Sequence, residues 1–290
     1  MKKIIGILLQ FILACMGIIF IGSIPSVFGI KKGNSIDLGH YFDTIGQIIR
    51  GLMNIRDLKV IVHGEVYTVY PYIIDAIVYS FTILFLALII AYFISTIFTI
   101  FTMILPQLIR EKIKFLILIL ESLPDILVII SLQLIVIYIF KKTNVLVMRV
   151  VTIGDERAYL LPIICLAIIP TIQLYRISIL LFEEEIKKDY IELSKSKGLK
   201  WLYILVVHVL RNTVTGLFLH SKKTIWSMLS SLVAVELLYG ITGITYYLTQ
   251  LMVPEIFTVI ILGFFIPIFC IYHFSKWIIE LTVNKGESIS

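Results

Sequence analysis

The sequence predicts an all-α polytopic membrane protein with about six transmembrane helices, and three observations carry that prediction. Of the 290 residues, 59% are hydrophobic and only 15% are charged, against about 25% charged in a soluble globular domain. Apolar stretches recur that are long enough to cross a bilayer core, which takes about 20 residues per helix. The basic residues behind the net charge of +6 sit in the short polar gaps between those stretches. Anionic headgroups and the positive-inside bias select that placement, so it does not call for a nucleic-acid partner. Mean hydropathy is +1.02.

The first apolar stretch runs from Ile4 to Phe28 behind Lys2 and Lys3. It is long for a signal peptide and lacks a clean small-x-small cleavage site before Pro25, so residues 1–28 read as a retained N-terminal anchor. Residues 29–71 read as an extracellular loop. Gly33-Asn34 and His63-Gly64 mark turns there, and Ile45, Ile48, Ile49 and Leu52 recur at the spacing of a small amphipathic surface helix. Residues 72–282 form the membrane core, with spans expected within Tyr72–Leu105, Phe115–Phe140 and Tyr159–Phe182, then from about Thr213 to Leu238 and from Pro254 to about Leu281. Each must be helical, because an isolated strand leaves its backbone unpaired in hydrocarbon. Residues 283–290 are a short tail.

Lysine and arginine placement orients the chain. With both termini in the cytoplasm, the inner gaps hold Lys2 and Lys3, then Arg110, Lys112 and Lys114, then the cluster from Lys187 to Arg211, then Lys285. Cys15, Cys165 and Cys270 stand singly in apolar segments and suggest neither a disulfide framework nor a metal site.

The densest charge in the chain lies in "EEEIKKDYIELSKSKGLKWLYILVVHVLRN", residues 183–212. Read as one helix, 183–196 places Ile186, Tyr190 and Leu193 on one face and Lys188, Asp189, Glu192 and Lys195 opposite. Glu183, Glu184 and Glu185 would favour its N-terminal dipole end, with Lys195 and Lys197 at the other end. Gly198 follows where a helix most often closes in a left-handed residue. A second helix then begins near Trp201 and runs into the fifth span. A plain connector between spans needs only a few residues, whereas this one is built as a stiff projection, a handle for a cytoplasmic partner.

The run Asp189-Tyr190-x-x-x-Ser194-x-Ser196-x-Gly198, followed by His208-x-x-x-Asn212, closely resembles the "DYxxxAxAxG … HxxxN" signature of permease subunits of ABC importers for oligopeptides, dipeptides and nickel. The resemblance covers roughly Ser80 to Leu281. "SLPDILVIISL", with Ser122 and Pro124, is similar to the opening of the family's pore-lining span. Arg176 matches the first of two arginines before the loop, with Ile179 in place of the second. "VAVELLYGITGIT" matches a gate motif through Glu236, Tyr239 and Gly243, though Thr242 and Thr245 replace its proline and final glycine. Ser194 and Ser196 replace alanines, and the usual C-terminal ending is absent.

The resemblance implies a type I ABC importer permease fold in a bacterial cytoplasmic membrane. Its ATPase-coupling residues would be Glu184, Asp189, Tyr190, Ser194, Ser196, Gly198, His208 and Asn212. The translocation pathway or gate would draw on Ser122, Pro124, Arg176, Glu236, Tyr239 and Gly243. Partners would be a second permease, two ATP-binding subunits, an extracellular substrate-binding lipoprotein and membrane lipids, with ATP and magnesium held by the partner ATPases and no cofactor on this chain.

Other readings compete. The chain lacks a GxxxxGK[ST] phosphate loop, so ATP hydrolysis falls to another subunit. An ion-coupled secondary transporter would use Glu121, Asp125 or Glu236 and often shows internal repeats, which the sequence lacks. A membrane scaffold or sensor would use the charged loop only for recruitment. Within the importer reading, nickel or a metal chelate is the alternative to peptide. His208 and Asn212 are expected to tie the two short helices together by hydrogen bonds. Lys222 and Lys223, inside the fifth span, either snorkel to the interface or face a water-filled passage.

Overall fold

The computed structural model describes residues 2–27, 38–54, 59–62, 65–68, 70–152, 156–250 and 253–287. Helix α1 (Lys2–Ser23) ends in a 3-10 turn (Ile24–Val27) and is followed by α2 (Leu38–Met53), α3 (Tyr72–Ile104), α4 (Gln107–Glu121), α5 (Asp125–Thr143) and α6 (Leu160–Glu185). Then come α7 (Asp189–Ser196), α8 (Trp201–Tyr203), a π-helical turn (Ile204–Val209), α9 (Leu210–Leu238), α10 (Ile244–Gln250) and α11 (Pro254–Glu287). The all-α expectation needs one amendment: strands β1 (Lys59–Val62) and β2 (Glu65–Thr68) pair antiparallel, with Val60 opposite Tyr67. The turns expected at Gly33-Asn34 and His63-Gly64 lie outside the described residues.

Among the described residues, six helices are long and apolar enough to cross a membrane: Ile5–Val27, Tyr72–Ile104, Asp125–Thr143, Leu160–Glu185, Trp201–Leu238 and Pro254–Trp277. The third begins ten residues later than the expected Phe115 start, because the chain breaks at Ser122-Leu123-Pro124. Proline lacks the N–H that a helix interior needs and pushes the residue before it out of the helical region. Ser122 therefore caps α4, its Oγ donating to the Ile119 carbonyl at 2.6 Å, and Pro124, extended at φ −63° and ψ 135°, precedes α5 as Pro106, at φ −62° and ψ 153°, precedes α4.

The chain forms two compact units. The first comprises Met1–Phe81 and Thr242–Ser290. In it α1 packs along α11, with the Phe11 ring 5.2 Å from Phe269 and 6.1 Å from Phe265. Helix α2 turns Thr44 and Ile48 inward, while Leu38, Phe42, Ile49 and Met53 remain exposed. The apolar stripe read from the sequence is thus split between a packed face holding Ile48 and an open flank holding Ile49.

The second unit, Thr82–Ile241, is organised around α6 and α9, the most extensively packed pair. Glu185 meets Asn212, and Leu181 meets Gly216, so residue numbers rise on one helix as they fall on the other and the pair is antiparallel. At Gly216 an added Cβ would lie 3.1 Å from the Leu181 side chain, so glycine permits the close approach. Helix α4 also runs antiparallel to α6, joined through Lys114–Glu183 at 3.0 Å and Glu121–Arg176 at 2.5 Å. Helix α5 runs parallel to α9, tied by Asp125 to Ser231 and by Gln133 Nε2 to the Leu238 carbonyl at 3.2 Å. Pro170 interrupts the hydrogen bonding of α6, and the next hydroxyl, Thr171 Oγ1, donates to the Ala167 carbonyl at 2.6 Å.

Candidate functional site

The charged stretch does not form the single helix expected over 183–196. Helix α6 continues through Glu185, Ile186–Lys188 turns, and α7 starts at Asp189 behind an extended Lys188 (φ −77°, ψ 145°). Two consequences follow. The three glutamates lie at the C-terminal end of α6, the end where the helix dipole disfavours negative charge. Asp189 and Glu192 take the favourable first turn of α7 instead.

Neighbouring cations compensate two of the three glutamates. Lys114 reaches both oxygens of Glu183 at 3.0 Å and Glu111 at 2.7 Å. Hydrogen bonds that Lys114 donates to Glu111 and, more weakly, to Glu183 hold its ammonium above its ordinary range, against the opposing effect of burial. Glu184 is exposed. Glu185 is the buried member, 7% exposed, and gathers a polar cluster. Lys188 Nζ donates to its Oε2 at 2.7 Å, while Tyr190 Oη at 2.7 Å and Asn212 Nδ2 at 3.0 Å donate to its Oε1. Asn212 Nδ2 also donates to Tyr190 Oη at 3.0 Å. Burial, reinforced by the Glu185 carboxylate, pushes the Tyr190 hydroxyl up to about 12, so the phenol stays a donor throughout the neutral range. One carboxylate thus joins the end of α6, the start of α7 and the first turn of α9.

The inward face of α7 also differs from the expected one. Ile191, fully buried, and Ser194, 8% exposed, point inward, and Leu193 is 57% exposed. Ser194 Oγ donates to the Tyr190 carbonyl at 2.8 Å, while the exposed Ser196 donates to Glu192 at 3.0 Å. Ile191 enters a buried cluster with Met103, Ile117, Phe182, Leu205 and Val209, which come from α3, α4, α6 and the π-helical turn. Its burial is the apolar counterpart of the Glu185 cluster.

Helix α7 closes at Gly198, which adopts φ +75°. The Leu199 N–H donates to the Ser194 carbonyl at 3.3 Å and the Gly198 N–H to Lys195 at 2.9 Å, the paired bonds of a Schellman closure. A Cβ at Gly198 would meet nothing within 4 Å, so the backbone conformation alone calls for glycine there. Beyond it, Lys195 Nζ lies 5.0 Å from the Trp201 ring centroid, and Trp201 Nε1 donates to the Met103 carbonyl at 3.2 Å.

His208 does not join Asn212 in tying the helices together. It sits in the π-helical turn and meets Tyr203 edge-on at 5.8 Å. That turn carries one residue more per hydrogen-bonded ring than an α-helix, with the Leu210 N–H donating to Leu205.

The residues expected at the pathway or gate disperse. Ser122 and Pro124 are exposed at the α4–α5 break, and Arg176 pairs with Glu121. Glu236 is 1% exposed. Tyr239 is fully buried, its Oη 3.0 Å from Cys165 Sγ. Gly243 is buried in the other unit.

Residues 100–279 match the family described as binding-protein-dependent transport system inner membrane component. The chain belongs to that family. It is therefore an ABC transporter permease, a multi-pass inner-membrane transport component, and the ion-coupled and scaffold readings are set aside. No curated protein matches the permease.

Sequence reasoning missed Glu185 in favour of Glu184. The available signal was spacing, because Glu185 lies four residues before Asp189 and five before Tyr190, near enough for a side chain to close back on the turn. It also missed the Asp125–Ser231 and Glu121–Arg176 pairs, whose partners are 106 and 55 residues apart. Gly240 went unremarked beside Gly243, yet it is Gly240, at φ +59°, that closes α9 of the permease, with the Ile241 N–H donating to the Glu236 carbonyl at 2.9 Å.

Proposed function

We propose that this permease is the transmembrane subunit of an ATP-driven importer for oligopeptides or dipeptides, with a stiff hairpin over residues 183–212 as its coupling element. In this reading a separate ATPase subunit grips α7, and ATP with magnesium is held there. A second permease completes the pathway, a substrate-binding lipoprotein delivers cargo from outside, and both termini are cytoplasmic. The observation that carries the reading is the double attachment of α7: Ile191 is keyed into the core while Tyr190 is bonded to Glu185 of α6 and, through Asn212, to α9. A push on α7 therefore displaces two spans together. A partner shifts a two-state equilibrium only through contacts that differ between the states, and the exposed side of α7, with Leu193, Lys195 and Lys197, offers a surface for such contacts.

Coupling roles follow for Asp189, Ser194, Ser196 and Gly198, which shape and close α7, and for Glu184, exposed beside it. The peptide assignment rests on the Asp189–Gly198 and His208–Asn212 resemblance. The test is to purify the Leu193→Asp variant with its partners. Loss of the ATPase subunit with the second permease retained, and loss of ATP-driven uptake, are the expected results. Uptake equal to the parent protein, with the ATPase still bound, would refute the coupling assignment. Uptake of labelled peptide against nickel separates the two cargo classes.

A further inference from the structure

Helix α2 is divided lengthwise into three sectors. Thr44 and Ile48, both buried, mark the sector that packs on α1, α11 and the 3-10 turn. His40, Asp43, Gln47 and Arg50, all exposed, lie about 80° to 160° to one side of Ile48 at about 100° per residue. Leu38, Phe42, Ile49 and Met53 lie about 80° to 140° to the other side, and they are 45% to 84% exposed. A helix resting on the protein in water would need only the packed sector to be apolar and would carry polar residues on the rest. The second apolar strip therefore has a neighbour other than water.

The depth of α2 follows from α1. The span Ile5–Val27 holds 23 residues, about 35 Å at 1.5 Å per residue, enough to cross a hydrocarbon core of about 30 Å. Phe20 lies about 22 Å beyond Ile5 by the same rise, and so about 8 Å short of the far boundary of that core. The Tyr41 hydroxyl donates to the Phe20 carbonyl at 3.3 Å, and α2 also packs on the turn Ile24–Val27 that closes the span. Helix α2 is thereby held beside the last turns of α1, at the level where acyl chains give way to headgroups. The surface of α1 is open at this level, with Phe20, Ile21 and Ile24 exposed, so the hydrocarbon that α1 requires adjoins α2. A protein arriving from water cannot reach a strip at that depth. Four side chains also fall far short of the about 20 residues per side that a stable protein interface draws on, whereas acyl chains cover apolar surface of any extent.

We infer that α2 is a membrane-interface helix, its strip of Leu38, Phe42, Ile49 and Met53 seated among the acyl chains of the leaflet in which α1 ends and its polar sector turned toward the headgroups. An amphipathic helix in that position sinks about 5–10 Å into the boundary, in agreement with the level of Phe20. This goes beyond the importer reading, since it depends on neither the cargo, nor the ATPase, nor the side of the membrane on which the termini lie.

The test uses the full chain with Cys15, Cys165 and Cys270 replaced by serine and a single cysteine introduced on α2, spin-labelled and reconstituted in phosphatidylcholine vesicles. Collision rates of the nitroxide with oxygen, which concentrates in hydrocarbon, and with chromium oxalate, which stays in water, are compared for Phe42→Cys and Met53→Cys on the strip and for Gln47→Cys and Arg50→Cys on the polar sector. Labels on the strip should favour oxygen and report a depth of about 5–10 Å, and labels on the polar sector should favour chromium oxalate. Met53, in the last turn and 84% exposed, can be replaced without touching the packed sector, so its label gives the reading should Phe42→Cys misfold. Chromium oxalate access on the strip equal to that on the polar sector would overturn the proposal, because the strip would then face water. Shielding of the strip from both reagents, in the reconstituted chain or in the complex purified with its partners, would also overturn it, because protein rather than lipid would then cover the strip.

Discussion

Asn212 donates to Tyr190 and to Glu185, both at 3.0 Å, from a position 22 residues beyond the first and 27 beyond the second. A single amide therefore closes the charged hairpin of the permease onto α9. It does so at a carboxylate that is 7% exposed, where a missing donor is not replaced freely by water.

Asn212→Ala should cost about 1–3 kcal/mol, the range for stranding a buried polar group, and Tyr190→Phe about 1 kcal/mol, because Lys188 and Asn212 still serve Glu185. Thermal unfolding of the purified permease in detergent measures both. The double variant should lose less than the sum, since the two residues share one network. Full additivity would show that the cluster does not act as a unit.

The Tyr190 hydroxyl sets a pH signature. Its value in the fold, about 12, lies above the ordinary value of 10, so the folded state holds this proton more tightly than the unfolded chain does. The contribution is complete below pH 10 and is lost as pH rises from 10 through 12. The stability difference between the parent and Tyr190→Phe proteins should therefore be flat up to pH 10 and shrink above it. A difference unchanged to pH 12 would mean that the phenol is not held by Glu185.

At Gly198 the expected harm comes from the backbone rather than from bulk. Since a Cβ there meets only open space while φ is +75°, Gly198→Ala should already cost about 1–2 kcal/mol, and Gly198→Asn should be tolerated better. Gly198→Val should be worst, β-branched residues being poorly suited to positive φ. ATP-driven uptake and ATPase co-purification should fall in the same order. If Gly198→Asn proved as harmful as Gly198→Val, side-chain bulk would be the cause instead.

Ile191 and Leu193 should separate anchoring from gripping. Ile191→Ala removes a fully buried side chain and should cost about 2–5 kcal/mol of permease stability. Leu193→Ala removes an exposed one and should leave the unfolding temperature nearly unchanged, with its effect appearing as weaker ATPase binding. Equal loss of stability in both would place Leu193 in the core.

Composition and hydropathy were enough to place six apolar helices, because a bilayer demands length and apolarity from each segment separately, and both are local properties of the chain. Gly198 was legible for the same reason, a helix terminus being set by its own few residues, whereas the start of α7 at Asp189 was not. What the folded chain alone decided was which residue on each element faces which neighbour. Glu185 rather than Glu184 is buried, and Ile191 rather than Leu193 faces the core, because the turn at Ile186–Lys188 resets the helical phase that a continuous 183–196 helix would have kept. His208 parts from Asn212 because a π-helical turn intervenes. The Glu121–Arg176 and Asp125–Ser231 pairs depend on the register between helices distant in sequence. That register arises from close packing, such as Leu181 against Gly216, and no pattern within a single segment encodes it.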